Sequence, residues 1–333
     1  MTKKIDKALI IGFGSMGKRY SKLLEKYFPE IELKILRHQY SKTHAKEFRY
    51  DFIYDIKDAL LFNPNIAIVA NPASHHLKIS KLLAEKKIHL LIEKPISDSS
   101  KGLEEFLNFC ENQGVIVMTG YNLRFSQSIN EFRKLIYKEH MGKILKVHAE
   151  VGQYLPTWRD SNYIKSVSAN KNLGGGVLLE LSHEIDYLTW IFGPIKRIKS
   201  HLSKQSDLNI DVEDSANILF SCDTVMNYQV MGSLKMDFIR HDKTRFCEVI
   251  CENGTLLWDG ITGDIKCFPK NQKDWKVLFQ STSKTEDTYL MEIQHFFSSI
   301  CENKLPIVSG RDGLNVVRTI EAIKDSNNSV VNL

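Results

Sequence analysis

The chain has 333 residues, 43% of them hydrophobic and 26% charged, with a formal net charge of +5. That length suits two domains, each able to bury a core, and the composition is that of an ordinary globular protein. Lys and Arg are scattered rather than blocked, so neither nucleic acid nor a membrane surface is implied as a partner, and no apolar run approaches the ~20 residues of a spanning helix.

The N-terminal Lys-rich stretch lacks a small-residue cleavage site and runs into a Gly-rich turn, so it reads as the approach to a first strand rather than a leader. Six cysteines form no CxxC pair, and no His or Cys cluster completes a metal set. Free thiols in a reducing, cytoplasmic setting are expected. Up to Gly120, strand and helix signals alternate. Apolar runs occur at 8–11, 33–36, 66–70, 90–92 and 115–119, separated by helix-period stretches at 16–27, 76–86 and 103–112. That alternation argues an α/β fold with a doubly wound parallel sheet.

The first run leads into Gly12-Phe-Gly14-Ser15-Met16-Gly17, a GxGxxG between strand and helix. The glycines permit a tight turn, close approach to a pyrophosphate and close helix–strand contact, and the helix N-terminus adds amide donors. A glycine-rich turn without a nucleotide is the alternative. About 20 residues on, where an NAD site carries an acid, stands Arg37, which accepts nothing but pairs with a 2′-phosphate. NADP is therefore expected ahead of NAD, unless Arg37 only stacks on adenine.

Next comes His89-Leu-Leu-Ile-Glu93-Lys94-Pro95. Pro95 stops a buried strand and leaves Lys94 at its carboxyl end, where ligands sit in open α/β sheets. A desolvated ammonium needs a task or a partner. The alternative is a side chain that snorkels outward or pairs with Glu93.

A boundary near residue 121 divides domain 1–121 from domain 122–333, with the closing helices able to pack back on the first. After it, one amphipathic helix (129–138) leads to β-rich runs at 144–151, 215–221, 227–234, 247–251 and 255–258, several alternating with period two and joined by Asn-Gly or Asp-Gly turns. Antiparallel sheet is expected, then two helices at 288–302 and 313–326. Within this half, Gly174-Gly-Gly176 reads as a flexible lead-in to one helix running to Phe192, on which Glu180, His183 and Asp186 are neighbours at spacings of three. A histidine flanked by carboxylates suits proton transfer near neutrality, although a lone helical His is also an ordinary surface or core residue. The loop 153–163, with Trp158 and Arg159, suits a sugar or an anionic group, or is simply packed surface.

Together these residues resemble the Gfo/Idh/MocA oxidoreductases (glucose–fructose oxidoreductase, inositol dehydrogenase and relatives). The resemblance runs nearly end to end: the glycine loop, Asn71-Pro72 with His76, Glu93-Lys94-Pro95, Gly120-Tyr-Asn122-Leu-Arg124-Phe125, the triple glycine with His183 and Asp186, Val212-Glu213-Asp214, Glu252-Asn-Gly254-Thr255, and the helix after Ser309-Gly-Arg-Asp-Gly313. It implies an N-terminal Rossmann domain and a C-terminal α+β domain with a large, mostly antiparallel sheet whose outer face forms a homo-oligomer, a dimer or tetramer. It also implies hydride transfer between nicotinamide and a sugar-like secondary alcohol. By that resemblance Lys94 touches the reacting oxygen and His183 is the acid/base. Asn71, Pro72 and His76, with Glu93 and the glycine loop, line the cofactor. Asn122 and Arg124 lie near nicotinamide and substrate, and Asp186 joins Trp158 and Arg159 in substrate binding.

Two departures stand out. Many relatives carry Asp four residues before the His, whereas here Leu179 holds that place and Glu180 stands three before. The usual proline after Arg-Phe is replaced by Ser126-Gln127. The loop and glycine-rich motifs look like those of surface-polysaccharide enzymes, pointing to a nucleotide sugar or a nonulosonic-type acidic sugar. A redox-cycling epimerase with tightly held cofactor, a glycosidase-like redox cycle and a non-catalytic dinucleotide sensor remain alternatives.

Overall fold

Residues 4–37, 50–158 and 162–327 are described by the computed structural model of the protein. The chain divides into two units. One runs to Tyr121 and takes in Tyr289–Val317, and the other holds Asn122–Thr288 and the chain from Arg318 onward.

In the first unit β1 (Lys7–Ile11), α1 (Ser15–Tyr27), β2 (Glu32–Leu36), β3 (Asp51–Ile53), α2 (Ile56–Leu61), β4 (Ile66–Val69), α3 (His76–Ala84), β5 (His89–Glu93), α4 (Leu103–Gln113) and β6 (Val117–Gly120) follow one another. The six strands are all parallel, in the order β3-β2-β1-β4-β5-β6. Helices cover such a sheet on both faces, which is why β4 (Ile-Ala-Ile-Val) is apolar without a break and buried throughout. The order reverses between β1 and β4, the point where open sheets of this kind accept ligands. β3 and α2 are missing from the sequence reading because three and six residues are too short to display a period.

The second unit contributes α5 (Gln127–Tyr137), β7 (Ile144–Gly152), α6 (Val177–Glu180), α7 (His183–Phe192), β8 (Ile195–Ser203), β9 (Ser215–Asp223), β10 (Gln229–Asp237), β11 (Thr244–Cys251), β12 (Gly254–Asp259), β13 (Ile265–Pro269) and β14 (Lys276–Phe279). Its eight-stranded sheet runs β14-β13-β12-β11-β7-β10-β9-β8 and is antiparallel except where β10 pairs with β7. One face is buried, through Val230, Leu234 and Met236 on β10 for example. There the Trp258 indole donates to Ser128 Oγ at 3.0 Å and packs against Phe132 and Tyr187. The other face leaves Leu219 and Met231 63% and 66% exposed. β8 and β14, both unread from sequence, are the edge strands, and Lys196, Arg197, Lys199 and Lys276 on them break the alternation, as edges that avoid self-pairing do.

The chain closes with α8 (Thr285–Glu302) and α9 (Gly310–Ser326), and the division between units falls within both. Inside the first unit, Leu314 and Val317 of α9 join the core formed by Phe106, Leu107 and Val117. Among the described residues, no helix is long and apolar enough to cross a membrane.

Candidate active site

In the first unit the site is built on the carboxyl ends of β1, β4 and β5. Gly12 ends β1 with φ +91°, and a Cβ there would meet Ala70 O at 2.9 Å. At Gly17 a Cβ would fall 2.1 Å from Gly12 O, so the turn closes only without side chains. Gly14 is different: nothing lies within 4 Å of where its Cβ would be. That open side faces outward beside the exposed Ser15 and the half-buried Met16. Gly14 caps α1 without a side-chain acceptor, and no acid occupies the first turn. The first-turn amides are thereby left to an anion, which matches the pyrophosphate of a dinucleotide.

Arg37 leaves the end of β2 with its backbone amide donating to Ile53 O at 2.9 Å. Its guanidinium lies 5.4 Å over the Phe13 ring and 5.0 Å over Phe52, and its Nη1 is buried without a hydrogen-bond partner among the described residues. Asn71, just past β4, has a buried Oδ1 in the same condition. Unsatisfied buried polar atoms are rare and call for a ligand or water. With the open side of Gly14, these two fit a dinucleotide.

His76 and Glu93, both expected at the cofactor, are hydrogen-bonded within the first unit. His76 is buried, with Nε2 2.7 Å from Asn71 O and Nδ1 3.0 Å from Pro95 O. It ties the loop after β4, which includes Pro72, to the loop after β5. Burial pushes its imidazole down from the ordinary value, against the pull of the Asn71 and Pro95 carbonyls. The Glu93 side chain turns into the interior. Its Oε2 accepts from the Lys94 amide at 3.0 Å, and its Oε1 lies 2.9 Å from the Tyr20 hydroxyl. Burial raises the Glu93 carboxyl, partly offset by Lys94 and Tyr20. Lys94 itself is half-buried at the end of β5, and Pro95 stops the strand as expected.

The second unit holds the other expected residues. Arg124 and Asp186 were expected at the substrate, but the structure pairs them with each other. Arg124 Nε donates to Asp186 Oδ2 at 3.0 Å and Nη2 to Oδ1 at 2.6 Å, with both side chains buried. This two-point fork fixes the first turn of α7 to the segment 122–125. Asn122 donates from Nδ2 to Thr288 Oγ1 at 2.7 Å and is buried as well.

The expected single helix to Phe192 is broken. α6 ends at Glu180, and α7 begins at His183 after Leu181-Ser182. Glu180, the last residue of α6, accepts from Ser168 Oγ at 2.7 Å. Nor is the triple glycine a flexible lead-in. A Cβ on Gly175 would fall 2.4 Å from Val167 O, and one on Gly176, at φ +105°, 2.5 Å from Glu213 Oε1. The glycines are there for close packing. His183 is the half-buried first residue of α7. Trp158 anchors its own loop, donating from Nε1 to Gln153 O at 3.1 Å and standing edge-on to Phe238. Arg159 lies outside the described residues.

Sequence reasoning missed Tyr20 and Glu292: Tyr20 reaches Glu93 across 73 positions and Glu292 across 272. It missed Ser168, Phe13 and Phe52 for the same reason. No local pattern marks them.

Two family models match the chain: the oxidoreductase family's NAD-binding Rossmann fold over residues 7–121 and its C-terminal alpha/beta domain over residues 133–332. The chain is 20% identical to the myo-inositol 2-dehydrogenase of Thermotoga maritima, covering 91% of each. Among solved structures it is similar to levoglucosan dehydrogenase in complex with NADH and L-sorbose (TM-score 0.82, 17% identity, 97% of each chain). It is likewise similar to the WlbA dehydrogenase of Bordetella pertussis in complex with NADH and UDP-GlcNAcA (TM-score 0.81, 18% identity, 98% of each chain). A parallel six-stranded sheet with a glycine-rich loop at its switch point, followed by a large mostly antiparallel sheet, is thus the architecture of an NAD(P)-dependent dehydrogenase, and the chain belongs to the Gfo/Idh/MocA oxidoreductase family.

Proposed function

We propose that this protein moves a hydride between nicotinamide and a secondary alcohol or ketone of a sugar, with a nucleotide sugar or an acidic sugar as the preferred class. The observation that carries the reading is the placement of Lys94. β4 and β5 run in parallel register, Val69 beside Ile92, so Asn71 and Lys94 leave the same edge of the sheet next to its switch point. The named relatives act on, or are bound to, sugars and a nucleotide sugar, which supports the substrate class.

The bound cofactor supplies the hydride chemistry. The chain supplies the rest. Gly12, Gly14, Ser15, Met16 and Gly17 receive the pyrophosphate at the start of α1, and Asn71 offers its amide oxygen. Lys94 donates to the reacting oxygen and steadies the negative charge that develops as its proton leaves, and His183 exchanges that proton. Glu180, held by Ser168, and Asp186, held by Arg124, act as positioning residues around His183.

NADP is the preferred cofactor in this reading and NAD the secondary one, because Arg37 presents an unpartnered Nη1 while its guanidinium is held flat by Phe13 and Phe52. The exposed Leu219 and Met231 on the outer sheet face make that face the contact of a homo-oligomer, dimer or tetramer. Five buried cysteines and an exposed Cys301, none in a disulfide, suit the cytoplasm.

The test is a screen of sugars and nucleotide sugars for a change in NAD(P)H absorbance in both directions. On a substrate so found, Lys94→Ala should lower kcat about 10²–10⁴-fold while NADPH still binds. Unchanged turnover would refute the role. Arg37→Ala should erase the NADPH-over-NADH preference in binding, and a wild-type protein that binds NADH as tightly as NADPH would end the cofactor assignment.

A further inference from the structure

Tyr20 of α1 is fully buried, and its hydroxyl touches two carboxyl groups at once: Glu93 Oε1 at 2.9 Å and Glu292 Oε2 of α8 at 2.8 Å. A phenol has one proton to donate. It satisfies one carboxylate, and the second contact is a hydrogen bond only when that carboxyl group brings its own proton. Two ionised carboxylates on one phenol would leave a buried charge against a lone pair, an arrangement of high energy.

The surroundings decide which group carries the proton. Glu93 Oε2 accepts from the Lys94 amide, and the cations facing Glu93 are Lys94 just past β5 and Arg19 on α1. Glu292 is fully buried, its Oε1 has no partner, and it faces the Glu93 charge and the Tyr20 phenol. Tyr289, also on α8, stands edge-on to Tyr20 with the Arg19 guanidinium 4.5 Å over its ring, which places that cation on the phenol rather than on Glu292. Burial first, and then the Glu93 charge, hold the Glu292 carboxyl well above the usual range; the Tyr20 hydrogen bond opposes the rise at both groups, but only at Glu93 do Lys94 and Arg19 oppose it too.

We propose that Glu292 is a neutral carboxylic acid in the folded protein, that it donates to the Tyr20 oxygen while Tyr20 donates to an ionised Glu93, and that this one-way chain positions the Lys94 backbone and keeps a fixed negative charge beside it. The three are positioning residues: Glu93 touches the Lys94 backbone, and Tyr20 and Glu292 act through Glu93. The consequence for turnover rests on the function proposed above for Lys94, but the proton chain itself does not.

Two measurements need no substrate. Near neutral pH the wild-type protein should show the infrared carbonyl band of a buried carboxylic acid, and Glu292→Gln should lack it. Glu292→Leu, which fills the site without charge, serves if the amide variant does not fold. A folded state that keeps a proton the unfolded chain gives up near pH ~4.3 loses stability as pH rises above that value, by up to about tenfold in the folding equilibrium constant per pH unit. Glu292→Gln should remove that slope. A wild-type spectrum without the band, or an equal slope in both proteins, would overturn the proposal.

Where turnover is measurable, Tyr20→Phe should displace the pH profile of kcat/KM and Glu292→Gln, still a donor, should keep the wild-type profile. A wild-type profile in Tyr20→Phe would overturn the positioning role. Band and slope found without any sugar turnover would sink the sugar reading and uphold the chain.

Discussion

Asp186 and Glu292 are both fully buried carboxyl groups, one in each unit, and their surroundings differ in kind. Asp186 meets a guanidinium that offers two donors at 3.0 and 2.6 Å. Glu292 meets a phenol already engaged with a second carboxyl group. Burying a charge is costly, and proteins avoid the penalty either by pairing the charge or by removing it. The first solution ties the charge to a fixed partner of opposite sign. The second stores a proton. The unit that carries the glycine loop and Lys94 holds the stored proton, and the unit that carries His183 holds the fixed pair.

Three variant proteins separate these solutions. Arg124→Ala should have the largest effect, lowering unfolding free energy by about 3–5 kcal/mol because it strands the Asp186 charge in the interior. Combining Arg124→Met with Asp186→Leu should recover most of that loss, and denaturant titration of the three proteins checks it. A double variant as unstable as the single one would mean that packing, not charge, holds the α7 turn. Tyr20→Phe should be milder, about 1–3 kcal/mol, since it deletes one hydroxyl between groups that share a proton. A loss as large as that of Arg124→Ala would show that both carboxyl groups are ionised.

The smallest effect concerns His76, the titratable side chain tying the loops after β4 and β5. Burial lowers its pKa, so the folded protein binds this proton less readily than the unfolded chain does. Its contribution to stability is therefore complete above the unfolded value of about 6.5 and is lost as pH falls below it, by at most about 1.4 kcal/mol per pH unit. Comparing the wild type with His76→Gln at neutral and mildly acidic pH tests the sign. A wild-type protein that gains stability on acidification relative to the variant would show that the two carbonyl contacts, and not burial, control the ring.

The glycine loop, the strand ending at Lys94 and the antiparallel texture after residue 121 were legible because each is written in a short window. Glycine spacing, a proline stop and period-two alternation are local consequences of backbone sterics and strand geometry. The helix from Gly176 to Phe192 was misread for the converse reason. Its apolar period continues across Leu181-Ser182, where α6 and α7 part, and the flanking contacts are distant ones: Gly176 packs on Glu213, 37 positions away in sequence, and Glu180 accepts from Ser168. Short or charged strands such as β3, β8 and β14 were passed over because an edge carries too little buried surface to impose a pattern.

What the sequence determined alone was the family and the fold class, and it singled out the loop at 12–17, Lys94 and His183 as candidates for the chemistry. What the tertiary structure decided was which polar residues face outward and which face one another. Glu93, Arg124, Asp186, Asn122 and His76 were read as contacts of cofactor, nicotinamide or substrate, and the fold also gives each of them a hydrogen-bond partner of its own. A buried donor or acceptor must be satisfied by whatever the fold brings within about 3 Å, and that partner is set by packing between distant segments rather than by neighbours in the chain.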